Sequence, residues 1–142
     1  MVDRVLVPVD GSEQSEQACE FVFEEFPGAT LVLLHVINPA EAEYSTQVAV
    51  PSTSEEWDEQ QTERAGRHFD DIETAAADRG IETERAVEVG KPTRVIVEFA
   101  EDCDADHVVM GSHGREGVSR ILLGSVAETI VRRSPVPVTV VR

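Results

Sequence analysis

The sequence predicts an α/β fold with a mostly parallel sheet. Short apolar runs alternate with amphipathic stretches along the whole chain, in the order β-α-β-α-β-α-β-α-β. Buried parallel strands are typically continuous apolar runs, and this alternation favours right-handed crossovers within one sheet. The chain has 142 residues and no internal repeat or linker rich in Gly, Pro or Ser, so we expect one domain over residues 1–142.

Changes in the spacing of apolar residues mark the first two strands and the helix between them. Val5–Val9 is an apolar run typical of a strand buried on both faces. Ser12 follows as a good N-cap, and the apolar residues beyond it recur at three- and four-residue steps until Pro27-Gly28 ends the helix. Leu31–Ile37 is the second buried strand, which closes at the Asn38-Pro39 turn.

The middle of the chain predicts a long helix and a strand near a sheet edge. Residues 40–53 show no period, and we interpret them as a loop. An amphipathic helix follows and ends at Gly80. Ile81–Val89 alternates apolar and polar residues, which indicates a strand with one face in water. Pro92 suits the first turn of the next helix.

The last third of the chain completes the alternation. Asp106–Gly111 is the fourth strand, a helix is expected over Ile121–Val131, and Val136–Val141 is the last strand. This last strand is apolar on both faces, and as strand five it would be an exposed edge, which proteins usually protect. Pairing with a second copy would give a twofold dimer, and burial by neighbouring helices is the alternative.

The composition excludes several classes of function. The chain has 28 acidic and 12 basic residues, a formal net charge of -16, which disfavours nucleic-acid binding. Such a surface, with Lys91 as its one lysine, is typical of a halophile, where salt screens the self-repulsion. No apolar run is long enough to span a membrane, and we expect a soluble, cytoplasmic protein. Cys19 and Cys103 are interpreted as small buried or half-buried thiols.

Glycines follow the fourth strand at a spacing that favours phosphate binding. Gly111-Ser-His-Gly114 is followed by nine residues and then by Gly124-Ser125, where a helix begins. Unpaired N–H groups in such a loop and at the helix start would point toward one anion. Asp10, at the end of the first strand, would share the crevice if strands one and four are neighbours, and would accept from ribose hydroxyls or hold Mg²⁺. Arg115 and Arg120 are candidates for charge-assisted phosphate contacts.

Four stretches carry a resemblance to a known family. They are VLVPVDGS (Val5–Ser12), LLHVI (Leu33–Ile37), VVMGSHGR (Val108–Arg115) and LLGSVAETIVRRSPVPVTVV (Leu122–Val141). With the glycine spacing, they resemble the nucleotide-binding branch of the universal stress protein family over essentially the whole chain, most weakly at residues 40–55. The resemblance implies an open five-stranded parallel sheet of order 3-2-1-4-5 with helices on both faces, a Rossmann-like fold of the adenine nucleotide alpha-hydrolase type, and a homodimer formed through the last strand.

The resemblance also implies which residues hold ATP. The aspartate would contact ribose, backbone at the end of the second strand would hold adenine, the residue before the first glycine would line the base pocket, and the glycines with the Gly-Ser pair would hold the phosphates. The expected cofactor-binding residues are Pro8, Asp10, Val36, Met110, Gly111, Gly114, Arg115, Gly124, Ser125 and Val126.

Enzymatic function has weaker support in the sequence. His113 lies inside the glycine loop and is a candidate for proton transfer, although a water-facing loop residue is the more ordinary interpretation. We expect no metal site, and no catalytic residue is assigned. The favoured function is a nucleotide-dependent stress-response module that binds ATP, with or without Mg²⁺. The alternatives are a slow ATPase or nucleotidyl-transfer enzyme on the same fold, and a dimeric scaffold that uses no nucleotide.

Overall fold

The computed structural model describes residues 2–40, 54–112 and 124–142, with the side chains of residues 54–58 left out. The strands are β1 (Arg4–Pro8), β2 (Thr30–Ile37), β3 (Thr83–Val89), β4 (His107–Gly111) and β5 (Val138–Val141). The helices between and after them are α1 (Glu13–Glu25), α2 (Ser54–Ala77), α3 (Pro92–Asp102) and α4 (Ser125–Arg133). The strands form one parallel sheet in the order β3-β2-β1-β4-β5, which confirms the predicted fold class and strand order.

Two apolar layers, one on each face of the sheet, hold the helices in place. Side chains alternate along β1, so Val5 and Val7 pack toward α1 and α2 while Leu6 packs toward α3 and α4. Phe69 of α2 and Ile130 of α4 are almost completely buried, one in each layer. Burial of an aliphatic or aromatic side chain of this size contributes about 1.5–3 kcal/mol. The sheet is therefore covered on both faces, as the continuous apolar strands predict.

The strand order places a crevice at the carboxyl ends of β1 and β4. β1 pairs with β2 on one side and with β4 on the other, so the chain winds away from β1 in opposite directions. In open sheets of this kind, ligands bind where the strand order reverses. The carboxyl ends of β1 and β4 therefore lie side by side at the edge where the sequence predicts a site.

Three predicted strand ends are wrong by one or two residues, each for a local reason. Val9 lies beyond β1, although its N–H still donates to Leu34 O at 2.8 Å. Ile81 precedes β3 because its N–H donates to Ala76 O and closes the end of α2. Val136 precedes β5 because its N–H and C=O both bond to the Ser134 hydroxyl in a turn.

Other predicted ends also shift slightly. Asp106 precedes β4, and its N–H donates to Arg4 O at 2.8 Å. Helix α2 ends at Ala77 rather than at Gly80, which adopts a positive φ of 71° in the turn that follows. Helix α4 runs to Arg133, two residues beyond the predicted end, and the predicted start at Ile121 lies outside the described residues, as do residues 41–53 of the predicted loop.

The edge position of the third strand and the N-cap are confirmed. β3 is an edge strand, and Ser12 caps α1 by accepting from the Ser15 N–H. The expectation that β3 has one buried and one wet face is wrong, because Ala86 and Val87 pack against opposite layers and Val89 is exposed. Within the described part of the chain, no helix is both long and apolar enough to cross a membrane.

Candidate functional site

The turn after β1 holds Asp10 in a fixed orientation. Its Oδ1 accepts the Ser12 N–H at 2.9 Å, and the Ser12 hydroxyl in turn accepts the Ser15 N–H at 3.2 Å. Gly11 lies between them with a φ of 80°, a backbone conformation that glycine adopts without strain. Among the described residues, Asp10 Oδ2 has no hydrogen-bond partner. A half-buried carboxylate therefore presents one open acceptor at the carboxyl end of β1.

The two halves of the glycine motif are joined by a backbone hydrogen bond. The Gly124 N–H donates to Ser112 O at 2.8 Å, which brings the start of α4 to the end of β4. The Ser112 N–H donates to Val141 O at 2.9 Å. The expectation of unpaired loop amides is therefore wrong for these two residues. Any anion at this point must use other donors.

The first turn of α4 supplies such donors. Gly124 is the N-cap, with φ −65° and ψ 158°, and it makes no side-chain capping bond because it has no side chain. The first helical bond runs from the Glu128 N–H to Gly124 O, and the N–H groups of a helix's first turn have no partner within the helix. Helix α1 differs, because Ser12 caps it. The start of α4 is thus chemically suited to an anion.

Gly111 has a packing role that sequence reasoning missed. A Cβ at this position would lie 2.6 Å from Gln14 Cβ and 3.0 Å from the Gln14 backbone C and O. Only glycine lets α1 approach the end of β4 this closely. The sequence signal attributed Gly111 to anion binding, and the structure adds this second reason for a glycine here.

The residues expected to line a base pocket share one face of the sheet. Met110 is buried in the layer beneath α3 and α4, and Val36 packs against the same layer. Pro8 follows the alternation of β1, in which Leu6 belongs to that layer. The structure thus brings Pro8, Val36 and Met110 to one face, with Asp10 just beyond the end of β1. The expected residues Gly114 and Arg115, together with the candidates His113 and Arg120, lie outside the described residues.

A polar cleft, which the sequence did not predict, opens on the opposite face of the sheet beneath α2. Its volume is about 360 Å³. It is lined by Asp10, Gly11, His35, Gln61, Arg64, Ala65, Arg67 and His68. The available signal was the spacing of Arg64, Arg67 and His68, since residues three and four apart share one helix face. The described residues contain no group of three His, Cys, Asp or Glu that could hold a metal ion.

Cys19, Cys103 and His107 lie apart from the strand-end crevice and from the cleft beneath α2. Burial, with Glu16 and Glu20 nearby, raises the pKa of the Cys19 thiol to about 12, and burial also raises the pKa of Cys103. Neither thiol is a ready nucleophile at neutral pH. His107 begins β4 at the opposite end of the sheet, where burial lowers its pKa below 6.5.

Comparison with known proteins places the whole chain in one family. The model of the universal stress protein family matches residues 1–142. Universal stress protein MJ0577 of Methanocaldococcus jannaschii is 33% identical over 155 residues, which cover 100% of this chain and 96% of the relative. The solved structure of MJ0577 superimposes with a TM-score of 0.84 at 34% identity, covering 99% of this chain and 96% of that one.

A solved relative contains a nucleotide. A universal stress protein crystallised in complex with cAMP superimposes with a TM-score of 0.65 at 26% identity, and the match covers 99% of this chain and 97% of that one. The family model and these relatives extend over the whole sheet that the structure describes. The resemblance noted in the sequence is thereby confirmed, and the chain belongs to the universal stress protein family.

Proposed function

We propose that this chain binds ATP at the carboxyl ends of β1 and β4 and acts as a nucleotide-dependent stress-response module. The observation that carries the proposal is the bond from the Gly124 N–H to Ser112 O, because it sets the uncapped start of α4 beside the end of β4. Asp10 stands at the neighbouring strand end with one open carboxylate oxygen. An anion-binding end and a hydroxyl acceptor therefore lie on one edge of the sheet.

The three parts of a nucleotide have matching partners along this edge. The apolar face formed by Pro8, Val36 and Met110 suits a base, and Asp10 Oδ2 suits the ribose hydroxyls. The first-turn N–H groups of α4 and the Ser125 hydroxyl suit the phosphates, with Val126 adjoining. We assign Gly111, Gly114, Gly124 and Arg115 to the phosphates from the sequence motif. Mg²⁺, where present, would screen the phosphates in this acidic chain.

Adenine nucleotides are the class favoured by the comparisons. The relative crystallised with cAMP shares the fold over nearly its whole length at 26% identity. We extend the class to ATP because the sequence motif adds Gly114 and Arg115 to the first-turn N–H groups of α4, which is more donor capacity than one phosphate requires.

The proposal is tested by the substitution Gly124→Val. A valine side chain would occupy the space in front of the first turn of α4, while its extended backbone (φ −65°, ψ 158°) accepts any residue. We expect ATP affinity, measured by titration calorimetry, to fall at least about ten-fold, and circular dichroism to stay unchanged. The control is Gly28→Val, an exposed position with no atom within 4 Å of a Cβ, which should bind ATP as the wild type does. Unchanged affinity in Gly124→Val would refute the assignment.

Two further measurements separate the module from its alternatives. Native mass spectrometry of the purified protein should show a co-bound adenine nucleotide, whereas its absence together with no binding in titrations would favour a scaffold. A phosphate-release assay should show at most slow turnover. Rapid turnover that is lost in His113→Ala would favour an enzyme instead.

We also propose a homodimer formed through β5. The Val108 N–H donates to Pro137 O and the Ser112 N–H to Val141 O, so alternate β5 residues bond to β4. The backbone groups of Val138 and Val140 then point outward from the sheet edge. Val140→Pro removes one outward N–H and leaves the β4 ladder intact. Light scattering should show a dimer for the wild type and a monomer for this variant, and a persistent dimer would contradict the proposal.

A further inference from the structure

We propose that the cleft beneath α2 is a second ligand site, which takes a small hydroxylated anion of the sugar-phosphate class. The cleft of about 360 Å³ lies against the carboxyl ends of β1 and β2. The residues that line the cleft range from buried at its floor to exposed at its opening. His35 and Ala65 are buried, Gln61 and His68 are half-buried, and Arg64 and Arg67 are exposed.

The deepest polar group of the cleft is the ring of His35, which is only 7% exposed. Its Nδ1 lies 2.8 Å from Val9 O. A carbonyl oxygen only accepts, so Nδ1 must carry the proton and donate. In the neutral ring, Nε2 is then an acceptor, and it has no partner among the described residues. A buried acceptor without a partner favours a ligand that donates a hydrogen bond.

Asp10 adds a second acceptor to the same cleft. Its Oδ1 accepts the Ser12 N–H, and its Oδ2 has no hydrogen-bond partner among the described residues. A neutral imidazole nitrogen and a carboxylate oxygen both match hydroxyl groups. The inner part of the cleft is therefore suited to a polyol rather than to an anion.

The outer part of the cleft has the opposite character. Arg64 and Arg67 are one helical turn apart on α2, and neither has a carboxylate oxygen within 4.0 Å in the part of the chain described with side chains. Arg4, Arg85 and Arg132 are all paired with acidic residues. In a chain with 28 acidic and 12 basic residues, two guanidinium groups without a carboxylate partner among the described residues thus lie together at one opening of the cleft. Such groups bind a phosphate by charge-assisted hydrogen bonds.

The cleft is separate from the proposed nucleotide site. His35 and Val36 are neighbours on β2, so their side chains lie on opposite faces of the sheet. Phe69 and Ala65 belong to the layer on the cleft side, whereas Met110 belongs to the other. Asp10 alone is common to both, so a nucleotide and a cleft ligand would compete for its Oδ2. A ligand with hydroxyls at one end and a phosphate at the other would span the cleft from His35 to the arginines.

Glucose 6-phosphate is the probe for this site, compared with glucose and with inorganic phosphate. Titrations followed by ¹⁵N NMR on the full chain in KCl should show glucose 6-phosphate binding at least about ten-fold more tightly than either part, with the largest shifts at Gly11, His35 and α2. The double variant Arg64→Gln/Arg67→Gln should lose at least about ten-fold in glucose 6-phosphate affinity. Its affinity for glucose should stay the same.

Two controls keep the outcome clear. Arg79→Gln/Arg94→Gln removes the same charge from exposed arginines outside the cleft and should bind the probe as the wild type does. Gly124→Val should also retain the probe, so failure of the nucleotide proposal is seen separately from failure of this one. Equal probe affinity in the wild type and in Arg64→Gln/Arg67→Gln would overturn the proposal. Loss of the probe in Gly124→Val would overturn it too, because the probe would then occupy the nucleotide site.

Discussion

Gly111→Ala is expected to destabilise the protein strongly, because of its contact with α1. The added Cβ would lie 2.6 Å from Gln14 Cβ, whereas carbon atoms in good contact are about 3.5–4.0 Å apart. The backbone C and O of Gln14, at 3.0 Å, have no rotamer that moves them away. Helix α1 must therefore shift by about 1 Å. Overpacking of this kind costs about 1–3 kcal/mol, and we expect the upper half of that range.

Urea unfolding of Gly111→Ala in KCl measures this cost directly, since a chain of this length is expected to unfold in one cooperative transition. The matched control is Gly66→Ala, which lies within α2 with no atom within 4 Å of a Cβ. Alanine favours a helix over glycine, so this control should gain about 0.5–1 kcal/mol. A loss below about 0.5 kcal/mol in Gly111→Ala would refute the close packing of α1 on β4.

Three further predictions concern charge. Burial lowers the pKa of His107 below its usual 6.5, so as the pH falls the unfolded chain is protonated at a higher pH than the folded one. The free energy of unfolding should therefore decrease as the pH drops below about 6.5. Urea titrations should show this loss in the wild type and not in His107→Asn. The Asp106 carboxylate accepts the N–H groups of Asp3 and Arg4 at 2.9 and 3.0 Å, which lowers its pKa, so Asp106→Ala should be less stable at pH 7. That difference should disappear as the pH falls below 3.8 through the lowered pKa, and its persistence would contradict the role of the charge. With a net charge of -16, the melting temperature should rise between about 0.1 and 1 M KCl, as the Debye length falls from ~10 to ~3 Å, and a constant or falling value would be evidence against strong self-repulsion.

The hydrophobic periodicity and the turn residues between segments explain why the helices and strands were predictable. β1, β2 and β4 are buried on both faces and are therefore apolar runs, while β3 lies at an edge and carries polar residues between its apolar ones. Their ends were less predictable because they depend on single hydrogen bonds. The Ile81 N–H, for example, closes α2 rather than joining the sheet, and an apolar residue serves either purpose.

The glycine motif illustrates a different limit of sequence reasoning. Its spacing indicates an anion site, yet the Ser112 N–H donates to Val141 O and the Gly124 N–H donates to Ser112 O, so neither is available to an anion. Which N–H groups remain open depends on how the end of β5 and the start of α4 meet β4. That arrangement follows from tertiary packing, so the sequence predicts the site without identifying its donors.

The cleft beneath α2 was hidden because its parts are ordinary when taken singly. His35 lies on a buried strand, and Arg64, Arg67 and His68 lie on an amphipathic helix, and neither position by itself indicates a ligand site. What unites them is the depth at which α2 packs: Ala65 and Phe69 bury against the sheet, and this brings His68 close enough that a Cβ at Gly11 would lie 2.5 Å from its Nε2. Gly11 therefore leaves room for the His68 ring at the cleft, and this role of the glycine becomes visible only once α2 is placed.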